Sequence, residues 1–335
     1  MWHVGIDLGR RTLFVTAVDD EGRVRDPVSI ACTDCELILK TFEKLRPFRA
    51  VIEATGTYRW LFRLLRPHGT VVLAHTARMR AIINRRSKTD KLDSQLLANL
   101  LRIDQIPLSY IPGDEYQYLR EVTRHRARLS RLMSEAKNGL RAILGRNNLV
   151  APYRIPFGPR GLSWFAQQDF VSADNAVRDE LLDRIRHYKL QISSIDEKLK
   201  KLEESYPQVE ALLDIRGIGV YLGLLIVAEI GDPERFRHAK QVGAYAGLTA
   251  KVNQSGDHAY YGHITKQGST WLRWAFVQIA MTAARDDVAL NNFYVRVRKR
   301  SSAKIARVAL ARKLAEICWK RLRRWHRTHP EYAID

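Results

Sequence analysis

Only three cysteines occur among the 335 residues, and two of them, Cys32 and Cys35, stand close in sequence. No second CxxC pair and no histidine cluster accompanies them, which argues against a zinc site and excludes a disulfide framework. Long apolar runs are missing as well. None approaches the ~18 residues that a spanning helix requires, and the amino terminus lacks the pattern of a secretory signal. Acidic charge is scarce beside basic charge: 36 Asp and Glu face 56 Lys and Arg, a net charge of +20. These shortages are those expected of a cytoplasmic protein whose partner is a polyanion and not a membrane.

What is present is the composition of a globular chain, 46% hydrophobic and 27% charged. It is long enough for two or three domains, each with its own core. Positive charge gathers at the end, where Arg296 to Asp335 holds 13 Lys and Arg against three acids. Much of that stretch, "SSAKIARVALARKLAEICWKRLRRWHR", spaces its apolar residues as a helix does and puts Arg and Lys on the other faces. With no free apolar surface elsewhere, such a basic amphipathic helix is expected to meet nucleic acid.

The patterning divides the chain into three segments. In residues 1–107, three short alternating runs ("WHVGID", "TLFVTAVD", "RVRDPVSIA") predict a β-meander, followed by helix, strand, helix and strand, an α/β domain with part of its sheet antiparallel. In 108–206, two heptad-spaced runs, from Leu119 to Ile143 and from Leu181 to Leu202, predict a helical coiled-coil hairpin that packs within one chain or pairs with a second copy. Arg126 is the one interruption of the first seam. The remainder, 207–335, reads as mostly helical, broken by the loop "TAKVNQSGDHAYYGHITKQGS". The segment "DIRGIGVYLG" has the form of a helix-hairpin-helix whose Gly217 and Gly219 amides could hold a phosphate.

The opening "GIDLG" begins two unrelated chemistries, the phosphate loop of actin-like ATPases and the metal-binding strand of RNase H-like nucleases. Asp7 ends the first strand and Glu53 the fourth, and these strands are neighbours in an RNase H-like sheet. Asp90 and Asp93, at i and i+3 in "SKTDKLDSQLLA", share one face of a helix. Singly each acid has an ordinary role, Asp7 in a turn or Asp90 as a helix cap. Four converging carboxylates, however, would repel unless a divalent cation neutralised them, and oxygen ligands alone favour Mg2+ or Mn2+. Two such ions can activate a nucleophile and stabilise the leaving oxygen in phosphodiester cleavage. The ATPase alternative needs further glycine-rich phosphate loops, for which "GTYRW" is the nearest candidate.

"VGID", "IEATGTY", "KTDKLDSQLLA", "IRGIGVYLGLLIVAEIGDPERF", "AYAGLTA", "QSG" and "TKQGSTWLR" follow one another in that order. Together they resemble the DEDD transposases of bacterial insertion sequences, the one-ten family, related to Piv-type DNA invertases and bridge-RNA-guided recombinases. The resemblance implies a RuvC-like amino-terminal domain whose four acids are Asp7, Glu53, Asp90 and Asp93. It also implies a transposase domain whose nucleophile is Ser255, in "AGLTAKVNQSG", forming a covalent phosphoserine link to DNA. Further implications are magnesium beside the acids, active sites shared between protomers of a dimer or tetramer, and a non-coding guide RNA that pairs with donor and target DNA. A serine hydroxyl needs a base or metal to activate it. Arg10, Ser94 and Thr265 depart from the family's usual residues while keeping charge or size. Residues expected to touch nucleic acid are Arg10, Arg85, Arg86, Lys88, Gly217, Gly219, Lys251, Lys266 and Arg273, with Arg298, Lys299, Arg300, Lys304 and Arg307 of the basic helix. The main rival is a Holliday-junction-type endonuclease using the same acids to activate water; a basic ATPase and a non-catalytic scaffold are others.

Overall fold

The computed structural model describes residues 1–76, 78–79, 90–255 and 258–332; of Asp90, Asn253, Gln254, Ser255, His258, Ala259 and Tyr261 it describes the backbone. The chain falls into two compact units, Met1–Ile111 and Pro112–Asp335.

The first unit is a mixed α/β layer. Its strands are β1 (Trp2–Leu8), β2 (Thr12–Val18), β3 (Val28–Ala31), β4 (Phe48–Glu53), β5 (Thr70–Ala74) and β6 (Leu108–Ser109), and the sheet order is β3-β2-β1-β4-β5-β6. The meander β1–β3 is antiparallel, whereas β1, β4 and β5 run parallel. Alternation decides the two faces. Val4, Ile6, Leu8, Ala50, Ile52 and Leu73 pack against Ile38 and Phe42 of α1 (Cys35–Glu43) and Leu61 and Leu65 of α2 (Arg59–Leu65). On the other face, Val51 and Ala74 meet Leu97 and Leu101 of α3 (Asp90–Arg102). The antiparallel edge strand β6 lies in the Pro107–Pro112 break, where two residues are too few to show alternation.

Helix α3 sits on the sheet through Gly5. A Cβ there would lie 2.5 Å from the Ala98 amide nitrogen and closer still to the Ser94 carbonyl oxygen, so helix backbone touches strand backbone. Beside this contact the Ser94 hydroxyl meets the Thr16 hydroxyl at 2.7 Å, both residues fully buried. The Ser94 hydroxyl therefore satisfies a buried threonine. The direction of α3 follows from its far end. Arg102 reaches the Asp20 carbonyl, and Asp20 holds the amino terminus and His3 at the start of β1. Asp104, just past α3, pairs with Arg49 near the start of β4 at 3.0 Å. Helix α3 is thus antiparallel to β1, and its first turn overlies the carboxyl ends of β1 and β4.

The second unit is largely helical. Helices α4 (Asp114–Arg146) and α6 (Ser172–Glu203) form an antiparallel pair, bridged by a loop and α5 (Pro159–Gln167). Tyr116 pairs with Tyr206 at its base, Arg126 with Asp196 midway and Arg146 with Asp174 near its tip. The interruption at Arg126 has a partner: its guanidinium makes two 2.9 Å bonds to Asp196 and lies 4.2 Å over the Tyr221 ring. After the short α7 (Glu210–Leu213) come α8 (Val220–Ile230), α9 (Ala239–Tyr245), α10 (Thr270–Asp286), α11 (Val288–Arg300) and α12 (Ala303–Thr328). Tyr116, Leu119 and Leu199 of the helix pair share one core with Leu224, Phe276 and Leu314, so packing continues through the 206–207 segment boundary.

Two elements differ from the sequence reading. The 250–264 loop is a β-hairpin, β7 (Ala250–Ser255) with β8 (His258–Ile264), whose polar and aromatic residues carry no apolar alternation. The single basic helix is two helices, since Ser301 ends α11 and the Ser302 hydroxyl caps α12 by accepting from the Ile305 amide.

Substituting Gly5 by Ala should lift α3 from the sheet and destabilise the first unit by about 3 kcal/mol or more. Urea unfolding followed by tryptophan fluorescence measures it, and a midpoint equal to wild type would contradict the backbone contact.

Candidate active site and nucleic-acid interface

Asp7 and Glu53 come together through strand register. Ile6 pairs with Ile52 across the parallel β1/β4 ladder, so Asp7 and Glu53 are the next residues along it. Each lies two residues past a position facing α3, Gly5 and Val51, and therefore projects to the α3 face. On α3, Asp93 precedes buried Ser94, and Asp90 lies one turn earlier at the first residue of the helix. From Ser94 back to Asp90 is about 6 Å of helix, and from Gly5 forward to Asp7 about 6.6 Å of strand. The backbone positions of all four acids consequently lie toward one edge of the sheet, on its α3 side. Asp7, Glu53 and Asp93 are half-buried.

The donor set fits Mg2+ or Mn2+ in being oxygen alone. Among the described residues, no three His, Cys, Asp or Glu side chains stand close enough together to hold an ion, and Asp7 and Asp93 each engage another group. Arg10 is exposed in the turn after β1. Arg85, Arg86 and Lys88 lie outside the described residues.

Ser255 is the last residue of β7 and pairs with His258, so it stands at the tip of the β7–β8 hairpin. Lys251 sits at a register irregularity near the hairpin's base and is exposed. The base is tied down by several bonds. Thr265 N–H donates to the Thr249 carbonyl and Lys266 N–H to that of Gly247, while the Arg273 guanidinium donates to the carbonyls of Ala246 at 3.0 Å and Lys266 at 3.2 Å. Gly268 has φ +109°, and a Cβ there would collide with the Tyr245 carbonyl. Ser269 next to it caps α10 by accepting from the Leu272 amide.

The sequence reading missed what anchors this base. Glu229, fully buried in α8, accepts from Arg124 of α4 at 2.6 Å and from the Ser269 hydroxyl at 2.9 Å. Arg120, one turn before Arg124, donates to the backbone carbonyls of Ala228 and Glu229. The available signal was a lone carboxylate inside the apolar run "LLIVAEIG".

Gly217 (φ +93°) packs against Thr282, and extended Gly219 caps α8 with open space around it. Arg298, Lys299 and Arg300 at the end of α11, and Lys304 and Arg307 at the start of α12, are all exposed. Toward its other end, α12 spends its cations on acids: Arg321 pairs with Asp214, and Arg323 and Arg327 with Glu234. The apolar face of α12, including Leu310, Leu314, Cys318 and Leu322, is buried in the core. No helix among the described residues is long and apolar enough to cross a membrane.

A mixed sheet with acids along one edge, joined in sequence to a basic helical region, meets two family models. Residues 4–147 match the DEDD IS110 model, described as "Transposase", and residues 209–295 match the model described as "Transposase IS116/IS110/IS902 family". The chain is 26% identical over 340 residues to the "Probable family 20 transposase" of Pseudomonas aeruginosa, covering 96% of each. It is 22% identical to the transposase for insertion sequence element IS1111A of Coxiella burnetii, over 96% of this chain and 89% of that one. A pilin gene-inverting protein of Moraxella bovis is 25% identical over 62% of this chain and 58% of its own. These matches define a transposase, an enzyme that cleaves and rejoins DNA. The chain is similar to the IS116/IS110/IS902 family of such enzymes over residues 209–295 and to the DEDD IS110 transposases over residues 4–147.

Replacing Glu229 by Ala leaves half-buried Arg124 and the Ser269 hydroxyl without their partner and should cost about 3 kcal/mol. Chemical unfolding of the second unit checks this, and a loss below ~1 kcal/mol would mean that Glu229 is not buried as described.

Proposed function

We propose that the chain recombines DNA through a serine–phosphodiester intermediate, with Asp7, Glu53, Asp90 and Asp93 holding Mg2+ or Mn2+ in a RuvC-like amino-terminal domain. The observation that carries this reading is the convergence of β1, β4 and the first turn of α3 on one sheet edge. A divalent ion held there supplies charge neutralisation for the attacked phosphate and the departing oxygen. Ser255 Oγ attacks phosphorus, its proton passing to a base; the Oγ–P bond forms as the bond to the leaving sugar oxygen breaks, and that oxygen takes up a proton. Attack by a sugar hydroxyl of another strand reverses these steps and rejoins DNA. A place at the hairpin tip suits Ser255 to an extended substrate strand.

Family likeness supports a non-coding guide RNA, a dimer or tetramer with shared sites, and site-specific exchange. Binding of RNA or DNA phosphates falls to the exposed cations of α11 and α12, with Arg10, Lys251 and Lys266 nearer the acids and the serine in sequence. Arg273 acts by holding the hairpin base.

A denaturing gel of the purified protein and its co-purified RNA on labelled element-end DNA tests the reading. With Mg2+ a slow-migrating protein–DNA adduct should form, disappear in Ser255→Ala, and be lost together with all cleavage in Asp93→Asn or on chelation. Cleavage without an adduct, insensitive to Ser255→Ala, would establish the hydrolytic nuclease instead. Separately, Gln at Arg298, Lys299, Arg300, Lys304 and Arg307 should make log K against log salt shallower by about 4–5 on duplex DNA. An unchanged slope would remove α11 and α12 from the interface.

A further inference from the structure

The far end of the α4/α6 helix pair carries a feature that strand chemistry does not use. Three cations from two helices converge on one aromatic residue of the connecting loop, Phe157. The Arg141 guanidinium lies 4.7 Å from the ring centroid, the Lys137 ammonium 5.8 Å from it, and Lys189 Nζ donates to the Phe157 carbonyl at 3.4 Å. Phe157 is itself fixed, stacked at 5.8 Å and 7° on buried Phe165. None of the three cations has an acidic partner among the described residues; the one further bond is from Arg141 to the Asn138 amide oxygen. Burial, then the charges of Lys189 and Arg141, hold the Lys137 ammonium below the usual lysine range. Elsewhere on the same helices cations are matched with acids, as in Arg126–Asp196, Arg146–Asp174 and Arg184–Glu180. At Phe157 no matching anion stands among the described residues.

We propose that Lys137, Arg141 and Lys189 form a binding site for the phosphodiester backbone of nucleic acid at the tip of the helix pair. A guanidinium stacked on an aromatic ring keeps its N–H edge free to take two phosphate oxygens side by side. The lysines add point charges from the other helix and the same helix turn. The adjoining loop exposes Tyr153, Arg154 and Ile155, the mixture of flat, apolar and basic side chains that lines unpaired strands. The site is independent of the acids and of Ser255.

The test is fluorescence anisotropy on the full chain with two probes, a single-stranded RNA and a DNA duplex of matching length. Changing Lys137, Arg141 and Lys189 together to Gln should weaken the preferred probe at least ~10-fold at 0.15 M salt and cut the salt slope by about 2–3. The probe that responds identifies the strand type. Arg141→Lys, which keeps charge and loses stacking, should retain most of the slope, separating charge from tip packing. Slopes unchanged on both probes, with thermal unfolding as wild type, would overturn the proposal. So would unchanged slopes accompanied by a lower sedimentation mass, which would assign the patch to a second copy. Strand cleavage by the acids is not read in this assay, so its outcome stands apart from that of the proposed reaction.

Discussion

Everything at the carboxylate edge depends on how closely α3 can lie against β1. The contact at Gly5 is backbone on backbone, with Ser94 and Ala98 directly over the strand. A side chain there would hold the helix off by the width of a methyl group or more, and the turn that carries Asp90 and Asp93 would rise with it. The buried hydroxyl pair Thr16–Ser94 then fixes where along the strand the helix rests, because a slide would take the Thr16 hydroxyl away from its partner. Orientation comes from the other end, through Arg102 at Asp20 and Asp104 at Arg49. Local packing thus converts acids distant in sequence into one edge.

The second unit solves a different problem, positioning a polar hairpin that has little apolar surface of its own. It does so by burying charge at the hairpin's base. Glu229 receives Arg124 on one oxygen and Ser269 on the other, and Ser269 in turn starts α10. Such a pair is costly to desolvate, and its return lies in fixing one arrangement of α4, α8 and α10 over others. Charge is also sorted by position on α12. Acids neutralise its carboxyl half, while the α11–α12 junction is left strongly basic.

Much of the first unit was legible in the sequence because its strands alternate cleanly and its turns are marked. The acids stood out as strand-terminal residues, but their shared face needed the β1/β4 register and the direction of α3, neither of which is local information. The long helices were legible from their period, and Arg126 was visible as an exception whose partner, Asp196, lies 70 residues away. The hairpin at 250–264 was not legible. Pairing between polar and aromatic residues leaves no apolar alternation, so the segment reads as loop. Ser301–Ser302 did carry a helix-stop and cap signal that the continuous apolar spacing across it obscured. Glu229 was open to notice as a charge in an apolar helix, but its role as acceptor from Arg124 and Ser269 follows only from tertiary packing.

The central claim is that Asp7, Glu53, Asp90 and Asp93 act as one divalent-cation site. Calorimetric titration of Mn2+ into the purified protein tests it most directly, with Asp7→Asn and Asp93→Asn beside wild type and circular dichroism confirming that each is folded. The account predicts saturable Mn2+ binding in wild type that either substitution weakens strongly. Equal binding by all three proteins would contradict it, and would mean that the carboxylate edge serves the fold and not the metal.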